Sequence, residues 1–364
     1  MKIKNVTDYL EEIAPLHLQE SYDNSGLIIG NLENTIDGCL ITLDCTEEVV
    51  EEAISKKCNL IIAHHPIVFN PIKKIIGNNY VERIIIKSIK NDIAIYAIHT
   101  NLDNVYNGVN SKIAEKLGLI NCEILLPKNK FLKQLVVYCP ITHSEILKDA
   151  MLNNGAGLFR NYDNCSFSSL GKGTFRPRKG SSPYSGKIGQ NYTSEEIKLE
   201  FFLQNDVEDY LIQVMKEHHP YEQVAYQIYA LDNFSDDIGS GMIGELTSEI
   251  ESSEFLKIIK ARMQTSCIRH TRLLKQKIKH VAICGGSGSF LLEQAKNKKA
   301  DIFISSDFKY HDFFGSDGKI IIADIGHFES EQFTKELIYD FLTKKFTKFA
   351  VQLSKVNTNP INYL

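Results

Sequence analysis

Leu60-Ile61-Ile62-Ala63-His64-His65-Pro66 is a short apolar run that leads directly into two adjacent histidines and a proline. An apolar run that ends at a helix-breaking or strand-breaking residue is typical of a buried strand in a parallel sheet. The working residues of open α/β sheets lie at the carboxyl ends of the strands, so the two imidazoles predict a metal site. Successive strand residues point to opposite faces. Both histidines can therefore reach one cluster only if the chain turns at the proline.

Two other predicted strand ends repeat this pattern. Residues 92–98 lead into His99-Thr100-Asn101-Leu102-Asp103, and residues 319–324 lead into Ile325-Gly326-His327, with Glu331 four residues later. Helical residues at i and i+4 share a face, so His327 and Glu331 are expected to reach the same cluster. A single histidine pair would be read more simply as hydrogen-bonded loop residues, but the repetition favours a metal site.

Composition excludes several classes of protein. The chain has 364 residues, of which 43% are hydrophobic and 24% charged, values ordinary for a globular protein. The net charge of −4 argues against a broad nucleic-acid-binding surface. No apolar run approaches the length of a membrane span, and the eight cysteines include no C-x-x-C pair. We therefore expect a cytoplasmic protein with reduced thiols and no membrane contact.

Apolar runs alternate with helical patterns in both outer parts of the chain. Strands are predicted at 39–44, 60–63 and 92–98, with helices near 79–90 and 109–117. The alternation resumes after residue 278, with strands at 281–284, 301–304 and 319–324 and one long helix at 329–345. Strands that alternate with helices indicate a parallel α/β sheet.

The middle of the chain follows a different pattern. Residues 128–232 give the order strand, helix, hairpin region, helix, strand, which is the split βαβ, ferredoxin-like arrangement. The segment 233–245 is rich in glycine and aspartate and is read as a return linker. The predicted fold class is α/β: a discontinuous α/β domain made of residues 1–127 and 245–364, interrupted by an inserted α+β domain at 128–244 that includes this linker.

Five side chains form the predicted metal cluster: His64, His65, Asp103, His327 and Glu331. Mixed nitrogen and oxygen ligands suit zinc, iron or manganese, and the lack of a thiolate argues against a structural zinc site. Two ions that each take about four ligands need about eight positions, and five side chains with a bridging Glu331 fill about six. The open positions and the surplus positive charge favour hydrolytic chemistry through a bridging hydroxide on a phosphate-bearing substrate.

Four other motifs have a functional and a structural interpretation. Gly285-Gly286-Ser287-Gly288-Ser289 could hold a phosphate on its N–H groups, but it lacks the Walker A ending and tight strand-to-helix packing is favoured. His311 is the one candidate for acid–base catalysis, and a surface histidine is an equal alternative. The pair His218-His219 before Pro220 is read as a helix end. A basic run is read as a solvated face rather than a nucleic-acid site: Arg269, Arg272, Lys275, Lys277 and Lys279.

The chain resembles the dinuclear-metal family of GTP cyclohydrolase 1 type 2 homologues, nearly from end to end. The motifs of the outer domain that carry the resemblance are Asp23-Asn24-Ser25-Gly26-Leu27, Ala63-His64-His65-Pro66, His99-Thr100-Asn101-Leu102-Asp103, Gly285-Gly286-Ser287-Gly288, and Gly326-His327 with Ser330-Glu331. The insert is similar to that family's PII-like domain, through Gly155-Ala156-Gly157, Asn161-Tyr162, Cys165-Ser166-Phe167, Gly173-Thr174-Phe175-Arg176-Pro177 and His219-Pro220-Tyr221-Glu222.

The resemblance implies the same five metal ligands, His64, His65, Asp103, His327 and Glu331, and two divalent metal ions per chain. It also implies a toroidal homohexamer built from trimers, with the metal sites facing an internal cavity. Tyr22 stands where the family usually has tryptophan, and this departure changes no ligand. The family name implies opening of the guanine ring of GTP, but the thiol-and-histidine zinc pattern of a type 1 cyclohydrolase is missing from this sequence.

The sequence therefore leads to three functional hypotheses. The first is a metal-dependent hydrolase that acts on a nucleotide or another phosphate-bearing small molecule, and the open coordination positions favour it. The second is a metal-handling or regulatory hexamer without enzymatic activity, in which the PII-like insert is a sensor or lid. The third is a ring that binds nucleic acid, which the net charge disfavours.

Overall fold

The protein is described by a computed structural model over residues 1–129, 132–159, 162–204, 207–273 and 277–364. The chain divides into two units: a larger one made of Met1–Pro127 and Asp236–Leu364, and a smaller one made of Lys128–Ser235. Two residues named above, Asn161 and Lys275, lie outside the described residues. Among those that are described, no helix is both long and apolar enough to cross a membrane. Helices and strands are numbered below in chain order.

The first sheet of the larger unit has five short strands, β1 (Gly26–Ile29), β2 (Cys39–Thr42), β3 (Leu60–Ala63), β4 (Ala94–Ala97) and β15 (Val351–Leu353). Their order is β1-β4-β3-β2-β15, and all neighbours are parallel except β1 and β4. Every residue of β2, β3 and β4 is buried. Their continuous apolar sequences fit a parallel sheet that is covered on both faces.

As the alternating pattern predicts, α2 (Glu47–Ser55) connects β2 to β3 and α3 (Tyr80–Lys90) connects β3 to β4. Helix α1 (Ile3–Ile13) precedes β1, and α4 (Thr100–Asp103) and α5 (Val109–Leu117) follow β4. The hydroxyl of Thr46 accepts a hydrogen bond from the Val49 N–H at the start of α2, and the Asn79 side chain caps α3 in the same way. One face of α2, which includes Val49, Val50 and Ala53, packs into a core with Ile61 and Ile95 of the sheet.

The second sheet of the larger unit has six strands, β5 (Ile120–Asn129), β10 (Phe234–Glu251), β11 (Arg269–His270), β12 (Lys277–Ser287), β13 (Ile302–Ser306) and β14 (Ile321–Asp324). Their order is β11-β14-β13-β12-β10-β5. The central strands β12, β13 and β14 are parallel, so their carboxyl ends meet at one edge of the sheet. The connecting helices are α8 (Ser252–Arg262), α9 (Leu292–Asn297), α10 (His327–Glu331) and α11 (Thr334–Lys345).

The single long helix predicted at 329–345 is wrong, because α10 and α11 are separate helices. At the break, the side-chain amide of Gln332 donates to the carbonyl of Met263 (2.8 Å). Phe333, just before the start of α11, and Leu337, in its first turn, are both buried. The apolar pattern therefore continues across the break, and the sequence alone does not reveal it.

Residues 234–245 of the predicted return linker at 233–245 lie in a strand. This strand is β10, which pairs antiparallel with β12 from Met242 opposite Ile283 onward. A Cβ atom at Gly239 would lie 2.3 Å from the Leu126 carbonyl oxygen, and one at Gly241 would lie 2.7 Å from Leu291 Cδ1. These glycines allow close approach of neighbouring groups, so a glycine-rich composition was mistaken for a flexible connection.

In its described residues, the smaller unit contains a four-stranded antiparallel sheet with two helices. In chain order its elements are β6 (Leu132–Pro140), α6 (Ile141–Asn153), β7 (Ser166–Phe175), β8 (Tyr192–Gln204), α7 (Glu208–His218) and β9 (Tyr226–Ala230). The strand order is β7-β8-β6-β9, and each neighbouring pair is antiparallel. This succession of elements is the split βαβ arrangement that the sequence predicted.

Candidate metal centre

The predicted ligands converge in the larger unit because each follows a strand of one of its two sheets. His64 and His65 follow β3, Asp103 ends the short helix α4 after β4, and His327 and Glu331 begin and end α10 after β14. Their ligand atoms form two groups that could hold a metal, one of His64, Asp103 and Glu331 and one of His65, His327 and Glu331. Glu331 belongs to both groups.

The carboxylate of Glu331 lies at the middle of the cluster and is 3% exposed. Its Oε2 is 3.0 Å from His65 Nε2 and 3.1 Å from His327 Nε2. Its other oxygen, Oε1, is 3.9 Å from His64 Nε2, which in turn is 3.6 Å from Asp103 Oδ1. The two oxygens of one carboxylate therefore face two different sets of ligands.

Each of the three predicted imidazole ligands is held through its Nδ1 atom, which leaves Nε2 directed into the cluster. His64 Nδ1 bonds to the Ile98 carbonyl (2.8 Å), His65 Nδ1 to Asp44 (2.7 Å) and His327 Nδ1 to Asp307 (2.6 Å). Protein histidines that bind metals are oriented in this way, because the acceptor at one ring nitrogen fixes the tautomer that ligates through the other.

The cluster fits a divalent cation because two of its buried polar atoms have no hydrogen-bond partner. Among the described residues, His64 Nε2 and Asp103 Oδ1 are both buried and unsatisfied. Leaving a buried polar atom unpaired costs about 1–3 kcal/mol, and more for a charged group. Since the two atoms belong to the same group of three ligands, one cation between them would satisfy both.

Protonation in the metal-free protein reflects the crowding of acids and imidazoles. Burial, together with the charge of Glu331, raises the pKa of Asp103 to about 7. Burial alone would lower the pKa of His65 and His327, but the adjacent carboxylates raise these pKa values to about 10 and about 11. The imidazoles in turn hold the pKa of Glu331 low against its burial. Protons therefore occupy the positions that a cation would take, and cation binding would displace them.

A cavity of about 680 Å³ opens over the cluster. Aromatic side chains form much of its wall: Tyr22, Phe69, Tyr80, Phe290 and Phe328. The carboxylates Glu20 and Asp44 also line it, whereas none of the described residues that line it is lysine or arginine. The wall of the cavity therefore combines aromatic rings with carboxylates around the cluster.

The glycine motif at 285–288 packs tightly against the cluster. The Gly285 and Gly286 N–H groups donate to Asn110 Oδ1 (3.0 Å) and Ser330 Oγ (2.9 Å). A Cβ atom at Gly286, whose φ is +60°, would lie 2.4 Å from Glu331 Oε1. These N–H groups are already used, so the arrangement agrees with the packing interpretation of the motif rather than with a phosphate loop.

His311 is not among the side chains that line the cavity. It lies exposed in a 3₁₀ helix, Tyr310–Ser316, with its ring near those of Tyr310 and Phe314. The structure therefore does not bring this acid–base candidate to the cluster. Instead it brings His99, Asp44, Asp307 and Asp23, to which the sequence analysis gave no role.

The second His-His-Pro motif is a structural element of the smaller unit. His219 Nδ1 accepts from the Tyr221 N–H (3.0 Å), and its Nε2 donates to the Tyr138 carbonyl (2.9 Å). His218 Nδ1 lies 2.9 Å from the Val214 carbonyl at the end of α7. Both ring nitrogens of His219 are satisfied by backbone groups, in agreement with the helix-end interpretation.

The basic run that extends from β11 into β12 also makes contacts within the protein. Arg269 is paired with Asp324 and also donates to the Phe308 carbonyl (2.9 Å). Lys279 donates to the Leu246 carbonyl and lies 3.7 Å from Glu245. At least these two members therefore stabilise the larger unit and do not form a free cationic surface.

The fold and the cluster define an α/β protein with a candidate metal centre built from histidines and carboxylates. Within that class, the chain belongs to the Duf34/NIF3 (NGG1p interacting factor 3) family, whose sequence profile matches residues 1–360. The family that the sequence motifs indicated is thus confirmed.

Relatives and solved structures of similar length support this assignment. The chain is 36% identical to a GTP cyclohydrolase 1 type 2 homolog of Staphylococcus epidermidis, over 100% of both chains. It is also 36% identical to a homolog of that name from Bacillus subtilis, over 99% of this chain and 98% of the relative. The crystal structure of a Bacillus cereus protein related to NIF3 superposes with a TM-score of 0.83 at 37% identity, over 100% of this chain and 99% of that one.

Proposed function

We propose that this protein is a dinuclear divalent-metal hydrolase that acts on a nucleotide or another phosphate-bearing small molecule. The observation that supports the proposal most strongly is the position of Glu331, whose two oxygens face two separate groups of ligands. A carboxylate shared by two ligand groups is the arrangement expected of a bridged pair of cations.

His64 and Asp103 would hold one cation and His65 and His327 the other, with Glu331 shared between them. Three imidazoles and two carboxylates suit zinc, iron or manganese. When bound, such cations act as Lewis acids that polarise a phosphoryl or carbonyl oxygen and activate water. Asp44 accepts a hydrogen bond from His65 Nδ1, and Asp307 accepts one from His327 Nδ1. These bonds hold both rings in the orientation that binding through Nε2 needs.

The composition of the cavity wall makes substrate binding dependent on the metal. An anionic group entering the cavity meets carboxylates and aromatic rings, and no lysine or arginine of the described residues lines the wall. The protonated imidazoles of His65 and His327 are the ligands that a cation would occupy, so cation binding would replace their charge with a larger one. The cations are therefore the groups that balance the charge of a phosphate there. The aromatic side chains would contact the remainder of the substrate, and a planar base is well matched to them.

The experiment that tests this proposal compares protein loaded with Zn²⁺, Fe²⁺ or Mn²⁺ with protein treated with a chelator, on GTP and a panel of phosphate esters. We expect hydrolysis of at least one substrate by the loaded protein, a fall to background after chelation, and recovery when the cation is restored. His311→Phe serves as a control that leaves the cluster intact. Hydrolysis of none of the substrates by the loaded protein, or hydrolysis that is equally fast after chelation, would contradict the proposal.

A second candidate function is the handling of metal ions, and the unequal exposure of the two ligand groups favours it. The side chain of His327 is 37% exposed, whereas that of His64 is fully buried. A cation held by His65 and His327 is therefore more accessible to chelators than one held by His64 and Asp103. Metal handling requires such an exchangeable position.

We expect a chelator to remove the two cations in separate steps. The ion at His65 and His327 should leave first, because His327 is the most exposed of the five ligands. The ion at His64 and Asp103 should leave at least about tenfold more slowly. Stopped-flow transfer of Zn²⁺ to a chromogenic chelator measures both steps. The His327→Phe variant should lose the fast step only; loss of both cations in one phase would show that the two positions are equivalent.

The proposed assembly is a toroidal homohexamer of cytoplasmic chains in which the insert is a PII-like domain. This proposal rests on the family resemblance of the motifs in both domains. Sedimentation analysis of the full chain is expected to give a mass six times that of the 41.3 kDa chain. A monomer at micromolar concentration would contradict the hexamer.

A further inference from the structure

A fourth imidazole, that of His99, lies beside the candidate metal centre. His99 directly precedes α4 and lines the cavity. Its ring centroid is 5.3 Å from that of His64 and 5.2 Å from that of His65. The ligand nitrogens of these three histidines lie within 4.8 Å of one another. His99 is thus near one ligand of each proposed cation.

His99 is held in the same way as the three predicted imidazole ligands. Its Nδ1 bonds to Asp23 Oδ1 at 2.8 Å, and the Asp23 side chain is completely buried. The Nδ1 atoms of the other three imidazoles bond to a carbonyl or a carboxylate in the same manner. Because the hydrogen bond to Asp23 uses Nδ1, Nε2 is the ring nitrogen of His99 that is left to bind a cation.

Asp23 is itself fixed in place by its neighbours. It accepts hydrogen bonds from the N–H groups of Asn24 (2.7 Å) and Thr100 (3.0 Å), from Ser25 Oγ (3.1 Å) and from the Thr100 hydroxyl. These donors fix the Asp23 carboxylate as a hydrogen-bond acceptor beside His99 Nδ1. An acceptor at that position favours the tautomer of His99 that is protonated at Nδ1.

This arrangement gives a role to the motif Asp23-Asn24-Ser25-Gly26, which the proposed function leaves unexplained. The Asn24 side chain donates to the Val68 carbonyl (2.7 Å), in the segment that follows His64 and His65. The Ser25 hydroxyl accepts from the His99 N–H (3.3 Å). The motif is thus hydrogen-bonded both to the segment after His65 and to His99, and it places the Asp23 carboxylate beside His99 Nδ1.

We propose that His99 binds a divalent cation of the centre through Nε2, and that Asp23 is its positioning residue. The inference rests on the proposed metal centre and adds a ligand to it. Five side chains with a shared Glu331 fill about six of the about eight positions that two cations need, and His99 raises this to about seven. About one position then remains for water or substrate.

The test is a titration of the full, metal-free chain with Co²⁺ alone. Calorimetry measures the affinity, and the visible absorption of the bound ion reports its ligands. The variants are His99→Phe, which keeps a ring but removes the nitrogen, and Asp23→Asn, which removes the charge that sets the tautomer. His280→Phe is the matched control. His280 Nδ1 also lies near a carboxylate, 3.9 Å from Asp301 Oδ2, but its side chain is 49% exposed. It lies in the first half of β12, whereas Gly285 beside the cluster lies near the end of that strand.

We expect both His99→Phe and Asp23→Asn to weaken binding of at least one Co²⁺ about tenfold to a hundredfold and to change its absorption bands. His280→Phe should match the wild-type protein. If Asp23→Asn fails to fold because of the hydrogen bonds it loses, His99→Phe still decides the question. Its new ring can pack against Phe69, whose ring centroid is 5.8 Å from that of the imidazole.

His99→Phe protein that binds two Co²⁺ with wild-type affinity and an unchanged spectrum would overturn the inference while leaving the proposed metal centre intact. The inference would also be overturned if Asp23→Asn weakened Co²⁺ binding and His99→Phe did not, because Asp23 would then affect the metal by a route that does not involve His99. Wild-type protein that binds no Co²⁺ would instead contradict the proposed function, and this inference with it. The three results are distinguishable in one set of titrations.

Discussion

Replacing Glu331 with glutamine is expected to release both cations, the largest effect of any single substitution in this protein. Glu331 is buried, and its oxygens face both groups of ligands. Glutamine keeps the shape but removes the charge that both cations share. Breaking a buried ionic contact costs about 3–5 kcal/mol, which corresponds to a loss of affinity of about a hundredfold to a few thousandfold. Calorimetric titration with Zn²⁺ measures this loss.

Glu329→Gln is the matched control for this substitution. Glu329 lies on the same helix, α10, is 5% exposed and accepts a hydrogen bond from Asn359 at 3.2 Å. It belongs to neither ligand group. The control therefore makes the same change of charge at a similar depth, and it should keep both cations. If Glu331→Gln protein kept one cation at wild-type affinity, Glu331 would belong to a single ion and the shared-ligand account would be wrong.

Replacing Gly286 with alanine is expected to displace the Glu331 carboxylate without altering any ligand. The new Cβ atom would lie 2.4 Å from Glu331 Oε1 and 3.4 Å from His327 Cε1. A contact of 2.4 Å cannot be maintained, so the carboxylate has to move by roughly 1 Å, a misplacement that costs function in preorganised sites. We expect affinity for both cations to fall by at least about tenfold, measured in the same Zn²⁺ titration.

Gly318→Ala separates this steric effect from backbone strain. Gly318 has a φ of +64°, close to the +60° of Gly286, but a Cβ atom there would meet no atom within 4 Å. Both variants incur about 1–2 kcal/mol for the left-handed conformation, which thermal unfolding measures. Only Gly286→Ala should lose metal affinity. Equal affinity in the two variants would mean that Glu331 does not occupy the position described here when the metal is bound.

The five ligands of the proposed centre were predictable because each follows a recognisable element. A buried parallel strand such as β3 gives a continuous apolar run, and the residues after it lie at the edge where ligands bind. The i, i+4 spacing of His327 and Glu331 likewise places both on one face of α10, where their side chains are 3.1 Å apart. Local sequence is sufficient in these cases.

The groups that orient the imidazoles were not predictable, because their partners are distant in sequence. His65 is 21 residues from Asp44, His327 is 20 residues from Asp307 and His99 is 76 residues from Asp23. Only the folded chain brings each pair together. The glycines of β10 were misread for a related reason, since their close neighbours, such as the Leu126 carbonyl beside Gly239, come from another part of the chain.

The most direct test of the central claim is elemental analysis of the purified full chain after it has been loaded with Zn²⁺ and freed of loosely bound ions by gel filtration. The shared position of Glu331 between two ligand groups predicts two ions per chain in wild-type protein. A value near one or zero, reproducible across Zn²⁺, Fe²⁺ and Mn²⁺, would contradict the dinuclear centre and the hydrolytic function proposed from it.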